Sequence, residues 1–468
     1  MNSNKKYFFI GIGGIGMSSI ARYFMSLGNE VMGYDREESE IVEKLSNDGV
    51  KVLHTIDINL LSDYFKSTDV IVVYTSAISE ENPYLKYFIN NKNKVYKRSE
   101  ILGEITENTF CIGIAGTHGK TTTAAILTHL FYRCEEDFQS FVGGILNGYE
   151  TNFIYRSPNI LELLNGRSPS RFSYSIVEAD EYDRSFLQLK PNIGIITSIE
   201  KDHLDIYGDF KSLKESFQLF ADKVSDFLSY TKSAKIFYSD EVKGFEGLSY
   251  SINSETDYYL KNISLKDNGY KFDLITPDNK FTNVEFNQIG THNLLNALGA
   301  FSVAHYLGLD EDKLIEALAD FKGVNRRMDV FRLGNKIVID DYAHHPSEIN
   351  VVLNSIKDRY KNMEVGVIFQ PHLFSRTKDL LDDFAKVLSK FDEVYLLDIY
   401  PAREEPIEGI NSNVLLEKII CKKKDIIKIE SINQKIESIE SDIIAVLGAG
   451  NVANSIQDLK KKYYEKSI

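Results

Sequence analysis

At 468 residues the chain is too long for one compact core, and at roughly 100 to 200 residues per domain three domains are expected. A composition of 43% hydrophobic and 26% charged residues, with 27 Tyr, 28 Phe and only 9 Pro, predicts a chain that folds throughout and excludes extensive disorder. Lys and Arg number 54 against 68 Asp and Glu, a net charge of -14, so a nucleic acid is not an expected partner; a polyanion would need a local cationic patch.

Cys111, Cys134 and Cys421 are odd in number and widely spaced, which fits neither a disulfide framework nor a metal knuckle and predicts a reducing compartment. The first apolar run, Tyr7 to Ile15, is too short and too broken by glycine for a signal segment. With no run of about 18 apolar residues to span a bilayer, a cytoplasmic location without membrane insertion is expected. Monomer and homodimer both remain open.

In chain order, the strand YFFIGI, a glycine turn, the helix MSSIARYFMSLG and a strand ending at Asp35 make a βαβ opening. DVIVVYTSAI, residues 69–78, reads as another buried strand, and the first domain, Rossmann-like, spans 1–107. FCIGIAG, SYSIVEAD and NIGIITSI are the buried strands of a second, parallel nucleotide-binding sheet. Residues 155–172 read as a loop or insertion and 231–288 as a small β-rich subregion, followed by the helix THNLLNALGAFSVAHYLG. The second domain spans 108–325. In 326–468 the strands NKIVIDDYA, VGVIFQ, EVYLLD and DIIAVLGAG alternate with amphipathic stretches, a third, Rossmann-like α/β unit. No fixed-period repeat appears.

The phosphate-binding signal is GTHGKTTT at 116–123, between a strand and a helix, where backbone N–H groups and the helix dipole attract phosphate. Gly116 lies three residues before Gly119, a shorter spacing than GxxxxGK[ST]. Candidate ATP contacts are Gly116, Thr117, His118, Gly119, Lys120, Thr121 and Thr122, with Lys120 at the terminal phosphates and the Thr121 hydroxyl on Mg2+. In VEADEYDRSF, Glu178 and Asp180 follow a buried strand, and one of them is expected on Mg2+. His203, with Asp202 and Asp205, supplies a second metal or phosphate contact.

GIGGIG, with Asp35 about 20 residues on, is a dinucleotide-type fingerprint in which glycines admit a diphosphate and the acid takes a ribose hydroxyl. A nicotinamide enzyme does not need a second, ATP-type loop, so the fingerprint is read as the seat of a UDP group: Gly11, Gly13, Gly14, Ile15, Gly16 and Asp35, with Ser76. DDYAHHPSE and FQPHLFSRTKD bring Asp341, His344, His372 and Arg376 to strand ends, where an arginine can clasp a carboxylate. Arg326 and Arg327 stand at the expected hinge, within reach of phosphates.

GIGGIGMSSIA, YTSAISEENP, GTHGKTTT, VEADEYDRSF, DHLDIYGDF, THNLLNALGA, DDYAHHPSE and FQPHLFSRTKDLLDDFA, taken in order, resemble the Mur ligase family from Tyr7 to about Val452. The resemblance implies an N-terminal domain for a UDP-sugar, a central ATPase domain and a C-terminal domain that brings an amino acid and closes over ATP, in peptidoglycan precursor synthesis. It implies UDP-N-acetylmuramate and L-alanine as substrates, ATP, and two Mg2+ ions. Lys120 then contacts the γ-phosphate, Thr121 and Glu178 hold one Mg2+ and His203 the other. Asn293 meets the adenine, Arg326 and Asp341 meet ATP, and Tyr342, His344, His372 and Arg376 line the amino-acid site, where His344 or His372 takes the amine proton. Lys120, Glu178, His203 and His344 are the expected catalytic set.

Leu373 departs from the family pattern, which often has a basic residue there, and the 155–172 segment is a second departure. No lysine aligns with the carbamylated lysine of sister ligases, and none is expected. The alternative acceptor is a murein peptide, taken by a related recycling ligase; an NAD-dependent dehydrogenase and a non-catalytic nucleotide sensor are alternatives of other classes.

Overall fold

Tyr7 and Phe9 face one side of the first strand and Phe8 and Ile10 the other, and all four are buried; a strand apolar on both faces belongs in the middle of a sheet covered twice. That is its place in the computed structural model, which describes residues 5–157, 173–201, 204–226, 235–266, 269–402 and 404–465. Strands β1 (Lys6–Ile10), β2 (Glu30–Tyr34), β3 (Lys51–Leu53), β4 (Ile71–Tyr74) and β5 (Lys94–Lys97) form a parallel sheet in the order β3-β2-β1-β4-β5. The order reverses beside β1, so the loops after β1 and β4 flank a switch point, where α/β sheets bind ligands. The β4 strand is shorter than the 69–78 expectation, because Ile78 N–H bonds back to Thr75 carbonyl at 3.0 Å and puts Ser76 in a turn. The first helix, Ile15–Ser26, starts two residues earlier than expected.

The second sheet has ten strands: β6 (Phe110–Ala115), β7 (Phe138–Leu146), β8 (Thr151–Arg156), β9 (Tyr174–Glu178), β10 (Ile193–Ile196), β11 (Lys235–Ser239), β12 (Leu248–Ser251), β13 (Tyr258–Lys266), β14 (Gly269–Ile275) and β15 (Lys280–Phe286). Their order is β15-β14-β13-β12-β11-β10-β6-β9-β7-β8. The expected β-rich stretch is there as β11 to β15, and its strands extend the nucleotide-binding sheet: β11 pairs in parallel with β10, β12 with β11 and β13 with β12. Tyr155 and Arg156, expected in a loop, end β8, which pairs antiparallel with β7; residues 158–172 lie outside the described residues.

The third sheet comprises β16 (Asp329–Leu333), β17 (Lys336–Asp341), β18 (Val365–Phe369), β19 (Glu393–Leu396), β20 (Lys423–Ile426) and β21 (Ile443–Leu447), in the order β16-β17-β21-β18-β19-β20, with β16 antiparallel. Its faces carry separate buried clusters, Ile337, Ile339, Val367 and Phe369 on one side and Val338, Ile368, Ile444 and Val446 on the other. The chain divides into two compact units: Met1–Lys266, Tyr270–Asn287 and Asn293–Lys322 hold the first two sheets, and Asp267–Gly269, Gln288–His292 and Gly323–Ile468 hold the third. Among the described residues no helix is long and apolar enough to cross a membrane.

The helix Lys120–Arg133 behind the phosphate loop is buried on all sides, Ala124, Ala125, Ile126, Leu127, Leu130 and Phe131 included, which anchors the loop it follows. On it, His129 accepts from or donates to the Tyr149 hydroxyl through Nδ1 at 2.7 Å and meets Asp320 through Nε2 at 2.6 Å. Burial, and the cation of Arg133, lower its pKa from 6.5 to about 4. A base whose folded pKa is depressed contributes stability above its unfolded pKa and loses it as pH falls through the folded one. The unfolding free energy should therefore drop between about pH 6.5 and 4 by up to about 3 kcal/mol, at 1.36 kcal/mol per pH unit. His129→Gln, which cannot titrate, should lose correspondingly less than the parent over the same range.

Candidate active site

Gly116 follows β6 directly, and the loop to Gly119 is held from the side by the segment after β10. Thr117 N–H donates to Ser198 carbonyl at 3.0 Å, His118 N–H to Ser198 Oγ at 2.9 Å, and Glu200 N–H to Thr117 Oγ1 at 2.9 Å. Gly119 closes the loop in the left-handed conformation, φ 83°, and a side chain there would strike Asn296 on the helix Thr291–Tyr306. This puts Asn293, one turn earlier on that helix and 3% exposed, on the side of the phosphate loop. Thr122 is buried in the first turn of its own helix.

Lys120 Nζ donates to the carbonyls of Gly116 at 2.6 Å and Thr117 at 3.2 Å, and it bridges both oxygens of Glu181 at 2.8 and 3.1 Å. Burial works against its charge, but Glu181, Asp180 and Glu178 outweigh it and raise its pKa above the usual lysine value. Glu181 is 2% exposed and was missed by the reading of the sequence, although it lies in the same VEADEYD segment as Glu178.

Glu178 ends β9, beside β6. One of its oxygens accepts from Thr121 Oγ1 at 2.9 Å and the other from Gly143 N–H at 2.7 Å. A hydroxyl and a carboxylate in contact at the mouth of a phosphate loop are the hard oxygen donors that Mg2+ takes. Among the described residues no group of three or more His, Cys, Asp or Glu side chains is arranged to hold a metal. Asp202, His203 and the side chain of Asp205 lie outside the described residues.

At the first sheet, Gly11 turns with φ 85° and Gly14 caps the Ile15–Ser26 helix without a side-chain bond. Asp35 Oδ2 accepts from Gly13 N–H at 2.8 Å, so its carboxylate holds the glycine loop. A side chain on Gly11 would stand 2.9 Å from Thr75 Cγ2, which places the Ser76 turn against the loop. The UDP candidates Gly11 to Gly16, Asp35 and Ser76 thus come together at the switch point.

In the second unit the amino-acid candidates meet at the carboxyl edge of the third sheet. The His344 and His372 rings lie 6.0 Å apart, Tyr342 stands edge-on to His344 at 5.4 Å, and Tyr400, which sequence reading missed, stacks on His372 at 5.7 Å. Arg376 Nη1 approaches His372 Nδ1 at 3.4 Å; since an arginine only donates, Nδ1 is the acceptor and the neutral ring carries its proton on Nε2. His344 Nδ1 lies 3.1 Å from the Tyr342 carbonyl, which only accepts, so its basic nitrogen is Nε2. Leu373 is held at φ 71°, its N–H on the Tyr400 carbonyl at 3.0 Å.

Arg326 and Asp341 do not pair with each other. Arg326 donates to Asp340 Oδ1 at 3.2 Å and to the Gly448 carbonyl, and Asp340, fully buried, also meets Lys460 at 3.2 Å. Asp341 points to the other face, accepting from Met328 N–H at 2.7 Å and Ala343 N–H at 2.8 Å. Burial, partly offset by Arg327 and these N–H groups, pushes its pKa up to about 6. Both Arg326 and Arg327 stack over Tyr342, at 5.4 and 5.1 Å.

Three family models match the chain in turn: Mur ligase family, catalytic domain over residues 6–109; Mur ligase middle domain over 114–304; and Mur ligase, glutamate ligase domain over 326–450. A UDP-N-acetylmuramate–L-alanine ligase of Flavobacterium psychrophilum is 41% identical over 100% of both chains, and one of Christiangramia forsetii 40% identical over 98% of each. The solved UDP-N-acetylmuramate-alanine ligase MurC of Thermotoga maritima superposes with a TM-score of 0.80 at 25% identity, covering 98% of this chain and 99% of that one. A murein peptide ligase of Psychrobacter arcticus shares the fold, with a TM-score of 0.71 at 21% identity over 98% of each chain. With its three-domain α/β fold and its phosphate loop, the chain belongs to the Mur ligase family and groups there with the UDP-N-acetylmuramate–L-alanine ligases.

Proposed function

We infer that the chain is an ATP-dependent ligase that joins L-alanine to the carboxylate of UDP-N-acetylmuramate in peptidoglycan precursor synthesis, releasing ADP and phosphate. The observation that carries this reading is the convergence of Lys120, Thr121 and Glu178 at the ends of β6 and β9, in a chain 41% identical end to end to such a ligase. The proposed regions are 1–107 for the UDP-sugar, 108–325 for ATP and 326–468 for the amino acid. A cytoplasmic location and a monomer or homodimer complete the proposal.

The muramate carboxylate oxygen attacks the γ-phosphorus of ATP, the bond to the β-phosphate oxygen breaks, and an acyl phosphate and ADP result. The alanine amine then attacks the acyl carbon, the C–O bond to phosphate breaks, and the amine loses a proton. Lys120 offsets the charge on the moving phosphoryl group. Thr121 and Glu178 would hold Mg2+, with His203 proposed for a second ion, and the metal would neutralise phosphate oxygens. Gly116, Thr117, His118, Gly119 and Thr122 cradle phosphate, Asn293 meets the adenine, and Arg326 and Asp341 remain proposed contacts of ATP. Tyr342, His344, His372 and Arg376 receive the amino acid. His344 or His372, whose rings lie 6.0 Å apart, takes the proton of the amine.

Phosphate release with ATP, Mg2+ and UDP-N-acetylmuramate, compared among L-alanine, L-serine, glycine and a murein tripeptide, tests the reading. Release dependent on L-alanine, with UDP-muramoyl-alanine in the product mass, is expected, and His344→Gln should slow product formation at saturating alanine. Release with the tripeptide alone would assign the chain to peptide recycling instead.

A further inference from the structure

The glycine loop and the end of β9 are bridged by a side chain that neither the fingerprint nor the phosphate loop includes. Arg98 is the first residue of the helix Arg98–Thr106, directly after β5. Its Nη2 donates to Asp180 Oδ2 at 3.0 Å, two residues beyond Glu178. The same guanidinium occupies the space a side chain on Gly16 would need: a Cβ there would stand 2.8 Å from Nη1 and 3.2 Å from Cδ. The guanidinium therefore spans from the first turn of the Ile15–Ser26 helix to the acidic loop of the ATP site.

Stability does not account for an arginine at this place. A cation in the first turn of a helix opposes the macrodipole, and the pair with Asp180, whose side chains are 21% and 38% exposed, is partly solvated and contributes little. An anion does account for it. The Ile15–Ser26 helix begins with no side-chain cap and no acidic residue in its first turn, and the Arg98 guanidinium lies against that turn at Gly16.

We propose that Arg98 is a ligand of the sugar nucleotide, exchanging its bond to Asp180 for one to an anionic oxygen of the substrate. This rests on reading the glycine loop as the sugar-nucleotide seat. A diphosphate oxygen and the muramate carboxylate share the chemistry that the guanidinium fork recognises. The exchange frees the Asp180 carboxylate, beside Glu178, when the substrate arrives.

The test is calorimetric binding of UDP-N-acetylmuramate and of UDP-N-acetylglucosamine, which has the diphosphate and lacks the carboxylate, to the full chain without ATP. Arg98→Gln should weaken UDP-N-acetylmuramate by about 10- to 100-fold, the loss of one charge-assisted hydrogen bond. Asp180→Asn, which removes the charge that competes for Arg98 while its amide oxygen can keep the bond from Tyr182 N–H, should not weaken nucleotide binding in the absence of ATP, and Arg98→Lys should recover part of the affinity. Equal loss for both nucleotides in Arg98→Gln identifies the diphosphate, and loss for UDP-N-acetylmuramate alone identifies the carboxylate; each supports the proposal. Equal weakening by Arg98→Gln and Asp180→Asn would reduce the pair to a structural tie and overturn it, as would unchanged binding in Arg98→Gln with an unchanged thermal midpoint. A parent protein that binds neither nucleotide would overturn the reading of the glycine loop itself, and this role with it.

Discussion

Lys120→Ala is expected to lower kcat for ligation by about 10²- to 10³-fold, the effect of removing one group that stabilises transition-state charge. The same substitution should also destabilise the fold. Glu181 is 2% exposed and both of its oxygens face the ammonium, so removing the lysine strands a buried carboxylate, at a cost of about 3–5 kcal/mol. The two effects separate in the double variant Lys120→Ala with Glu181→Gln, which removes the stranded charge as well. Denaturant unfolding should show most of the stability restored while phosphate release stays at the single-variant level. A double variant that regains turnover would show that the lysine acts only through the fold, and would remove it from the mechanism.

Glu178→Gln should have a comparable effect on rate for a different reason. Its two oxygens take the Thr121 hydroxyl and the Gly143 N–H, and the proposed ion replaces the first of these contacts. Glutamine keeps the shape, loses the charge, and presents an NH2 where one of the two donors points. Stability should fall by about 1 kcal/mol, one net hydrogen bond. The rate should fall about 10³-fold, because a metal supplies several kcal/mol of charge stabilisation to phosphoryl transfer. The decisive readout is rate against Mg2+ concentration: the half-saturating concentration should rise in Glu178→Gln and stay put in Lys120→Ala. Parent-like Mg2+ dependence in Glu178→Gln would take that residue off the metal.

The strand-turn-helix units at Gly11 and Gly116 were legible because their signals are local: an apolar strand, glycines where the backbone must turn tightly, and a helix start. The placement of Glu178 at a strand end was legible for the same reason. The β-rich character of 235–286 was legible too, but the edge to which its strands attach was not. Short alternating strands look alike whether they fold back on themselves or add to an existing sheet edge, and only the parallel pairing of β11 with β10 distinguishes these.

Arg98 carried no local mark, since Gly16 and Asp180 each lie 82 positions from it along the chain, the latter on another sheet. The partner of Arg326 was hidden by the pleat. Asp340 and Asp341 are adjacent in sequence but face opposite sides of β17, and the arginine reaches the former while the latter caps the backbone at Met328 and Ala343.

By itself, then, the sequence determined the α/β class, the two glycine loops and the family, all of which are set by short runs of neighbouring residues. The tertiary structure alone decided that Glu181 holds Lys120, that Arg98 bridges the glycine loop and Asp180, and which nitrogen of His344 and of His372 is basic. Those facts depend on which strand lies beside which and on which side of it each side chain emerges, and strand order is a property of the whole folded sheet that no local run of residues encodes.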